Sequence, residues 1–357
     1  MTKYFEDILK QPNQLQRSLN YTLTDGWPEV EKAIGLIRAA KTIYISSIGA
    51  SLNAGLAIQA TFNEVGMPTH LCDSSEFLHF TNIPEKSVVI LLSRSGQSVE
   101  VVKAVSKCRD AGAKVISITN SANSLLGQHS DVCLLTQVDF DHSISVNTYT
   151  SIILTGQILA SAFNSSFSKS EITKSLKRTL NQVIPEIPKW KDIIDQSDWL
   201  DMDYSSYFLA RGANLASAFE SMLIWQEGAK QPASAMTTGA FRHGPQEVLI
   251  NKINIGIWID QEIARENDFK LINDMHSQGI RLLTIGNNLP ADLKGFKIEM
   301  PEILYSFQPL INIIPVQLAV DRFASIKGED CDSFRFCNFV VEYEGGLYDK
   351  LKSEIAF

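Results

Sequence analysis

The sequence predicts a doubly wound α/β protein, and three observations carry that prediction. Short apolar runs bounded by turn residues alternate with helical patterns of roughly 10–15 residues, the signature of βαβ units and a parallel sheet. Residues 88–92 (Val-Val-Ile-Leu-Leu) are apolar without interruption, as in a strand buried on both faces. The order strand, glycine turn, helix recurs in the second half of the chain at corresponding places, which reads as an internal duplication.

Residues 1–40 read as helices: Ile8, Leu9, Leu15 and Leu19 fall at helical spacing, and Trp27, Val30, Ile34 and Ile37 do the same after the Asp25-Gly26 break. Pro28 suits the first turn of that second helix. No chemistry is legible there, and the segment is expected to pack against a domain or a partner subunit. Strands follow at 42–47, 68–72, 88–92, 114–118 and 131–135, with a long apolar helix over 146–165 closing a first domain, 41–165. A polar helical connector, 166–200, is broken by Pro185 and Pro188. The second alternation occupies 201–342, with strands at 204–210, 254–259 and 281–285 and helices at 214–229, 264–278 and 311–325; a tail runs from 343 to 357.

The strand at 88–92 runs into Ser93-Arg94-Ser95-Gly96-Gln97-Ser98 and then a helical pattern. The first N–H groups of a helix lack partners and sit at its positive end, so an anion settles there. Gly96 lets the backbone approach, the serine hydroxyls add donors, and Arg94 adds charge. The turn Ile48-Gly49-Ala50-Ser51 lies at the end of another strand. Ligands of such sheets sit beyond the strands' carboxyl ends, so both turns can converge on one phosphate. A helix-capping turn explains the serines equally well from this stretch alone. The second copy ends its equivalent strand in Asp260-Gln261-Glu262, whose carboxylates would repel phosphate.

Composition narrows the partners. The 357 residues carry a net charge of −8, are 45% hydrophobic and hold no run long enough to span a membrane. A pI near 5.4 excludes the basic face that a nucleic-acid binder needs. Five scattered cysteines with no C-x-x-C pair, and no signal peptide, indicate free thiols in a reducing cytoplasm.

Two further stretches carry candidate chemistry. Glu220 and Glu227 are seven apart on a predicted helix, hence on one face. His243 stands in Phe241-Arg242-His243-Gly244-Pro245, pinned in a tight turn. A carboxylate and a histidine so held can move protons between adjacent carbons or between a ring oxygen and solvent. These residues alone favour the plainer reading, a solvated glutamate and a turn filler. Asp139, Asp141 and His142 form a weak metal constellation that nothing nearby completes, and they are read as rim or solvated residues. No metal and no cofactor is expected.

Taken together, Gly49-Ala50-Ser51, Ser74-Ser75-Glu76-Phe77, the 93–98 turn, Arg211-Gly212, Glu227 and 241–245 resemble the SIS (sugar isomerase) family. The resemblance runs from about 40 to 342 and is strongest to the isomerase half of glucosamine-6-phosphate synthase, the ketosamine-phosphate deglycases and the aminosugar-phosphate isomerase/deaminases. It implies two tandem flavodoxin-like SIS domains, each a parallel sheet with helices on both faces, and a homodimer or higher oligomer with its active site at the subunit interface. Ser51, Ser93, Ser95 and Ser98 match phosphate-binding positions, and Arg94 stands where a glutamine is usual. Glu227 matches the glutamate that shuttles a proton between C1 and C2. His243 matches the ring-opening histidine, often presented by the neighbouring subunit. Glu220, Gly49 and Arg335 are weaker pocket candidates, Arg335 lying in a stretch from Lys327-Gly328 that is similar to the family's end.

Two departures bear on the reaction. The family's Schiff-base lysine falls on Phe339, and a second lysine, on the glutamate helix, falls on Ile224. Lys350 or Lys352 of the tail is the remaining candidate to supply an amine. No N-terminal cysteine is present to hydrolyse glutamine, so glutaminase activity is not expected. The expectation is an enzyme acting on a 6-phosphorylated keto or amino sugar by ring opening and C1–C2 proton transfer, with release of an amine (deglycase or deaminase). The alternatives are an aldose–ketose isomerase without amine chemistry and a non-catalytic sugar-phosphate-binding regulator.

Overall fold

The computed structural model describes residues 1–249 and 252–346. The first half comprises α1 (Lys3–Leu23), α2 (Trp27–Ala39), β1 (Thr42–Ser47), α3 (Ala50–Glu64), β2 (His70–Asp73), α4 (Ser74–Phe80), β3 (Ser87–Leu92), α5 (Val99–Asp110), β4 (Lys114–Thr119), α6 (Leu125–His129), β5 (Val132–Leu135) and α7 (Asn147–Ser161). After α8 (Lys169–Val183) and α9 (Glu186–Asp195) come β6 (Ser205–Ala210), α10 (Leu215–Glu227), β7 (Ala233–Thr237), α11 (Thr238–Arg242), β8 (Ile253–Trp258), α12 (Arg265–Ser277), β9 (Arg281–Gly286), β10 (Phe296–Glu299), α13 (Pro309–Asn312) and α14 (Ile314–Lys327).

The strands form two five-stranded sheets, every pairing parallel. The first runs β2-β1-β3-β4-β5 and the second β7-β6-β8-β9-β10, so both have the flavodoxin-like order 2-1-3-4-5. The duplication read from the sequence is therefore a duplication of topology. All six residues of β3 and all six of β8 are buried, as central strands covered on both faces must be.

Two strands escaped the sequence reading, and both are edge strands. Ala233–Thr237 is half-buried and poor in β-branched residues, and Phe296–Glu299 has only four residues. The expected helix over 311–325 divides into α13 and α14, the second carrying Pro315 in its first turn, where its missing N–H costs nothing. No described helix is long and apolar enough to cross a membrane.

The N-terminal helix is more than packing. Thr2 caps α1 and its hydroxyl donates to Asp321 of α14, while the amides of Lys3 and Tyr4 donate to the Asp332 carboxylate at 2.8 and 2.7 Å. This ties the start of the chain to residues 329–346, which form an irregular strap beyond α14. Asp141 is a correction: it is buried rather than solvated, and it accepts from the amides of Asn147 and Thr148, which opens α7. Asp139 is exposed and bonds to Gln14 and Arg17 of α1, and the His142 amide donates to Asp7. Among the described residues no group of three or more His, Cys, Asp or Glu side chains is placed to hold a metal ion.

Candidate active site

In a 2-1-3-4-5 sheet the switch point lies between β1 and β3, where successive crossovers leave on opposite faces and open a crevice. Here the turn 48–51 leaves β1 and the turn 93–98 leaves β3, so α3 and α5 aim their N-termini into that crevice. A cavity of about 210 Å³ opens there, lined by Gly49, Ser51, Ser93, Arg94, Ser95, Ser98 and Glu227 among others. The candidate phosphate-binding residues are thus gathered in one place, together with the candidate base.

Backbone geometry explains the glycines. Gly49 adopts φ +61° at the N-cap of α3 and Gly96 adopts φ +66°, both in the region where a Cβ is strained. A Cβ on Gly96 would stand 2.0 Å from Ser124 Oγ. Neither α3 nor α5 has a side-chain cap, although the first N–H of α5, that of Val99, is taken by a backbone carbonyl, Val341 O. Ser93 Oγ accepts from the Gly96 amide at 3.1 Å, Ser95 Oγ accepts from the Gln97 amide at 3.2 Å, and Ser93 and Ser98 hydroxyls lie 3.4 Å apart. Ser95 keeps its proton to donate, and so does one of the Ser93–Ser98 pair. Gly96→Ala should therefore lower stability by about 2–5 kcal/mol, from left-handed strain plus overpacking, and weaken phosphate binding. Urea unfolding and phosphate titration read both effects.

Arg94 joins three parts of the site. Its Nη1 donates to Ser143 O (3.0 Å) and Ser145 Oγ (2.8 Å), and its Nη2 donates to Phe339 O (2.9 Å). The Phe339 ring lies across the guanidinium, 3.8 Å from the centroid. Phe339 thus occupies the wall of the cavity with Phe334, Cys337, Val340 and Val341 of the strap. Val341 O accepts from the Val99 amide, the first N–H of α5. Further along, Glu344 pairs with His79 and with Lys103.

Glu227 is the last residue of α10, where a carboxylate meets the negative end of the helix, against the usual preference. Its carboxylate makes no hydrogen bond among the described residues. Burial pushes its pKa up to about 7, opposed by the positive charges of Arg94 and Lys230. Lys230, which sequence reasoning missed, takes φ +52° and donates to Glu227 O and to the strap carbonyls of Asp330 and Ser333. Nothing in the local sequence distinguishes this lysine from a solvated one.

Three candidates lie elsewhere. Glu220 does not line the cavity: it is fully buried behind it, and its Oε2 accepts from Asn53 of α3 at 2.9 Å. Arg335 points away and pairs with Glu329 at 2.5 Å. His243 caps α11 on the surface of the second half, exposed and outside the cavity of its own chain. Ile224 is buried. Lys350 and Lys352 lie outside the described residues.

The second switch point, between β6 and β8, is filled by its own side chains. Arg211 Nε donates to Asp268 at 2.8 Å, and Asp260 accepts from Tyr305 Oη and the Ala264 amide, each at 2.6 Å. Two carboxylates and their partners occupy the place where the first half gathers serines.

The chain builds two parallel 2-1-3-4-5 sheets with a serine cradle at the first switch point, and it matches the model of the SIS domain over residues 36–162. It is homologous to the glutamine–fructose-6-phosphate aminotransferase (isomerizing) of Pyrobaculum aerophilum, with 27% identity over 342 residues, 92% of this chain and 56% of that relative. The chain thus spans about half the length of that relative. Among solved structures, the C-terminal domain of glucosamine-fructose-6-phosphate aminotransferase from Francisella tularensis superposes with a TM-score of 0.84 at 21% identity, covering 93% of this chain and 98% of that one. The glucosamine-6-phosphate deaminase of Thermotoga maritima follows at 0.77 and 19%, covering 95% and 99%.

Proposed function

We propose that this protein is an enzyme that binds a 6-phosphorylated keto or amino sugar at the 48–51 and 93–98 turns and moves a proton between C1 and C2 with Glu227, releasing an amine. The observation that carries this reading is the placement of Glu227 on the wall of the cavity that holds the serine cradle. The cradle fixes the phosphate end through Ser51, Ser93, Ser95, Ser98 and Arg94, which leaves the other end of an open-chain hexose for Glu227. Glu227 takes the proton from one carbon and returns it to the next. A nitrogen carried on C1 or C2 then becomes an imine, and water replaces it, giving free amine and a keto or aldo sugar phosphate. By the resemblance, Phe339 falls where the family's Schiff-base lysine would, and a substrate that brings its own nitrogen needs none. Ring opening is assigned to His243 delivered by a second copy of the chain, because the histidine is exposed and outside the cavity of its own chain.

A panel of 6-phosphates (fructose, glucosamine, galactosamine and fructose–amino-acid adducts), followed for released amine and for sugar interconversion, tests the reading. Amine release supports it. Interconversion alone makes the protein an aldose–ketose isomerase, and binding without turnover makes it a regulator. The shared site has its own test: mixing inactive Glu227→Gln and His243→Ala proteins should restore activity through hybrid dimers that pair one intact Glu227 with one intact His243. Failure of subunit mixing to restore turnover would mean that Glu227 and His243 do not meet across a subunit interface.

A further inference from the structure

Behind the cavity wall lies a sealed group of polar atoms that the reaction as drawn does not use. Glu220 has no solvent exposure, and its Oε1 has no hydrogen-bond partner among the described residues. The hydroxyls of Tyr4 (α1) and Tyr149 (α7) are also buried and unpartnered, and both tyrosines are close enough to Glu220 for its charge to oppose their ionisation. Glu220 takes part in no ion pair among the described residues; its one printed bond comes from the neutral Asn53 amide. A buried carboxylate with a bare oxygen and no paired cation keeps its proton instead of its charge. Buried hydroxyls without partners are rare, and a group of them is the setting in which an internal water is held.

We propose that Glu220 is held as a neutral carboxylic acid in a closed polar pocket with Tyr4 and Tyr149, bridged by an internal water, and that it acts as a positioning residue that leaves Glu227 the only negative charge of the pair. This rests on Glu227 being the base of the reaction proposed above. When Glu227 removes a proton from the sugar, one negative charge passes to the substrate and Glu227 becomes neutral. Arg94 balances that one charge. An ionised Glu220 about two helical turns away would add a second and oppose the step. The titratable groups facing Glu220 are Tyr4 from α1, Tyr149 from α7, Glu227 on its own helix, Arg94 from the cradle turn and Asp141 from the loop before α7. Burial raises the Glu220 pKa to about 8, the Asn53 bond and Arg94 oppose it, and the charges of Glu227 and Asp141 add to it. The working window therefore closes on the alkaline side as Glu220 loses its proton.

Infrared difference spectra of the substrate-free protein, parent minus Glu220→Gln, give the first test. At neutral pH the difference should contain the carbonyl stretch of a protonated carboxylic acid, and that band should vanish as the pH rises past about 8. Tyr4→Phe should shift the band, since it removes one partner of the pocket. A carboxylate band in the neutral difference spectrum, or a band that Tyr4→Phe leaves unmoved, overturns the proposal. With substrate, Glu220→Gln should keep neutral-pH turnover within a few-fold and lose the alkaline fall. A loss of roughly 10²-fold at neutral pH in a folded variant would mean that the carboxyl itself reacts, and an unchanged alkaline fall would mean that it does not set the limb; either outcome overturns the proposal. If the parent turned over no phosphosugar the proposed reaction would fail, and the infrared result would still stand on its own.

Discussion

Glu227→Gln is expected to lower kcat by about 10²–10⁴-fold while leaving sugar-phosphate binding close to that of the parent. The substitution keeps the shape of the side chain and removes only its capacity to accept a proton. Binding should survive because the cradle belongs to the turns after β1 and β3, and the Glu227 carboxylate makes no hydrogen bond to any described residue of those turns. The pH dependence follows from the same group. The base is the carboxylate, which exists above its pKa, and burial has raised that pKa from 4.5 to about 7. Turnover by the parent should therefore rise with pH through a midpoint near 7 and be lost in acid. In the glutamine variant the residual rate should show no such rise. Steady-state kinetics across pH, with calorimetric titration of the sugar phosphate, separate the two effects. Unchanged turnover would sink the assignment of Glu227.

Much of this site was legible in the sequence because its parts are local. The run Val88–Leu92 can only be a buried strand, Gly96 marks a backbone that must approach something, and serines at 93, 95 and 98 follow from one turn. The first sheet was legible for a similar reason, and the second from the alternation of strand and helix, although its central strand β8 is interrupted by Asn254 and Gly256. Burial over a distance was not legible. The spacing of Glu220 and Glu227 put them on one face, but only the packing of α1, α3 and α7 decides that the first is sealed and the second reaches the cavity. Tyr4 could not be read as lying within electrostatic reach of Glu220, because the two positions are more than two hundred residues apart. The strap was opaque too. Its bonds to the cavity wall go through carbonyl oxygens of Phe339, Val341, Asp330 and Ser333, which any sequence would offer, and the side-chain bonds of Asp332 and Glu344 join positions far apart in the chain.

Arg94→Gln should raise KM for the phosphosugar by about 10–100-fold, because hydrogen bonds to a charged group contribute roughly 1.5–3 kcal/mol. The guanidinium holds the cradle turn, the 143–145 loop and Phe339 together, with donors at 2.8–3.0 Å. Glutamine is shorter and neutral, and it cannot reproduce that planar fork. A second effect separates charge from geometry. Arg94 is the strongest group holding the Glu227 pKa down against burial, so without its charge that pKa rises further. The rising limb of activity should then move to higher pH. Arg94→Lys keeps a positive charge and loses the fork, so it should raise KM while leaving the limb nearly in place. The strap should loosen in both variants, since Phe339 loses its stacking partner and its carbonyl loses a donor. Faster tryptic cleavage at Arg335, without a matching change at Arg17, would report that loosening. An Arg94→Gln protein with the parent's KM, pH limb and cleavage rate would leave Arg94 no part in holding the site closed.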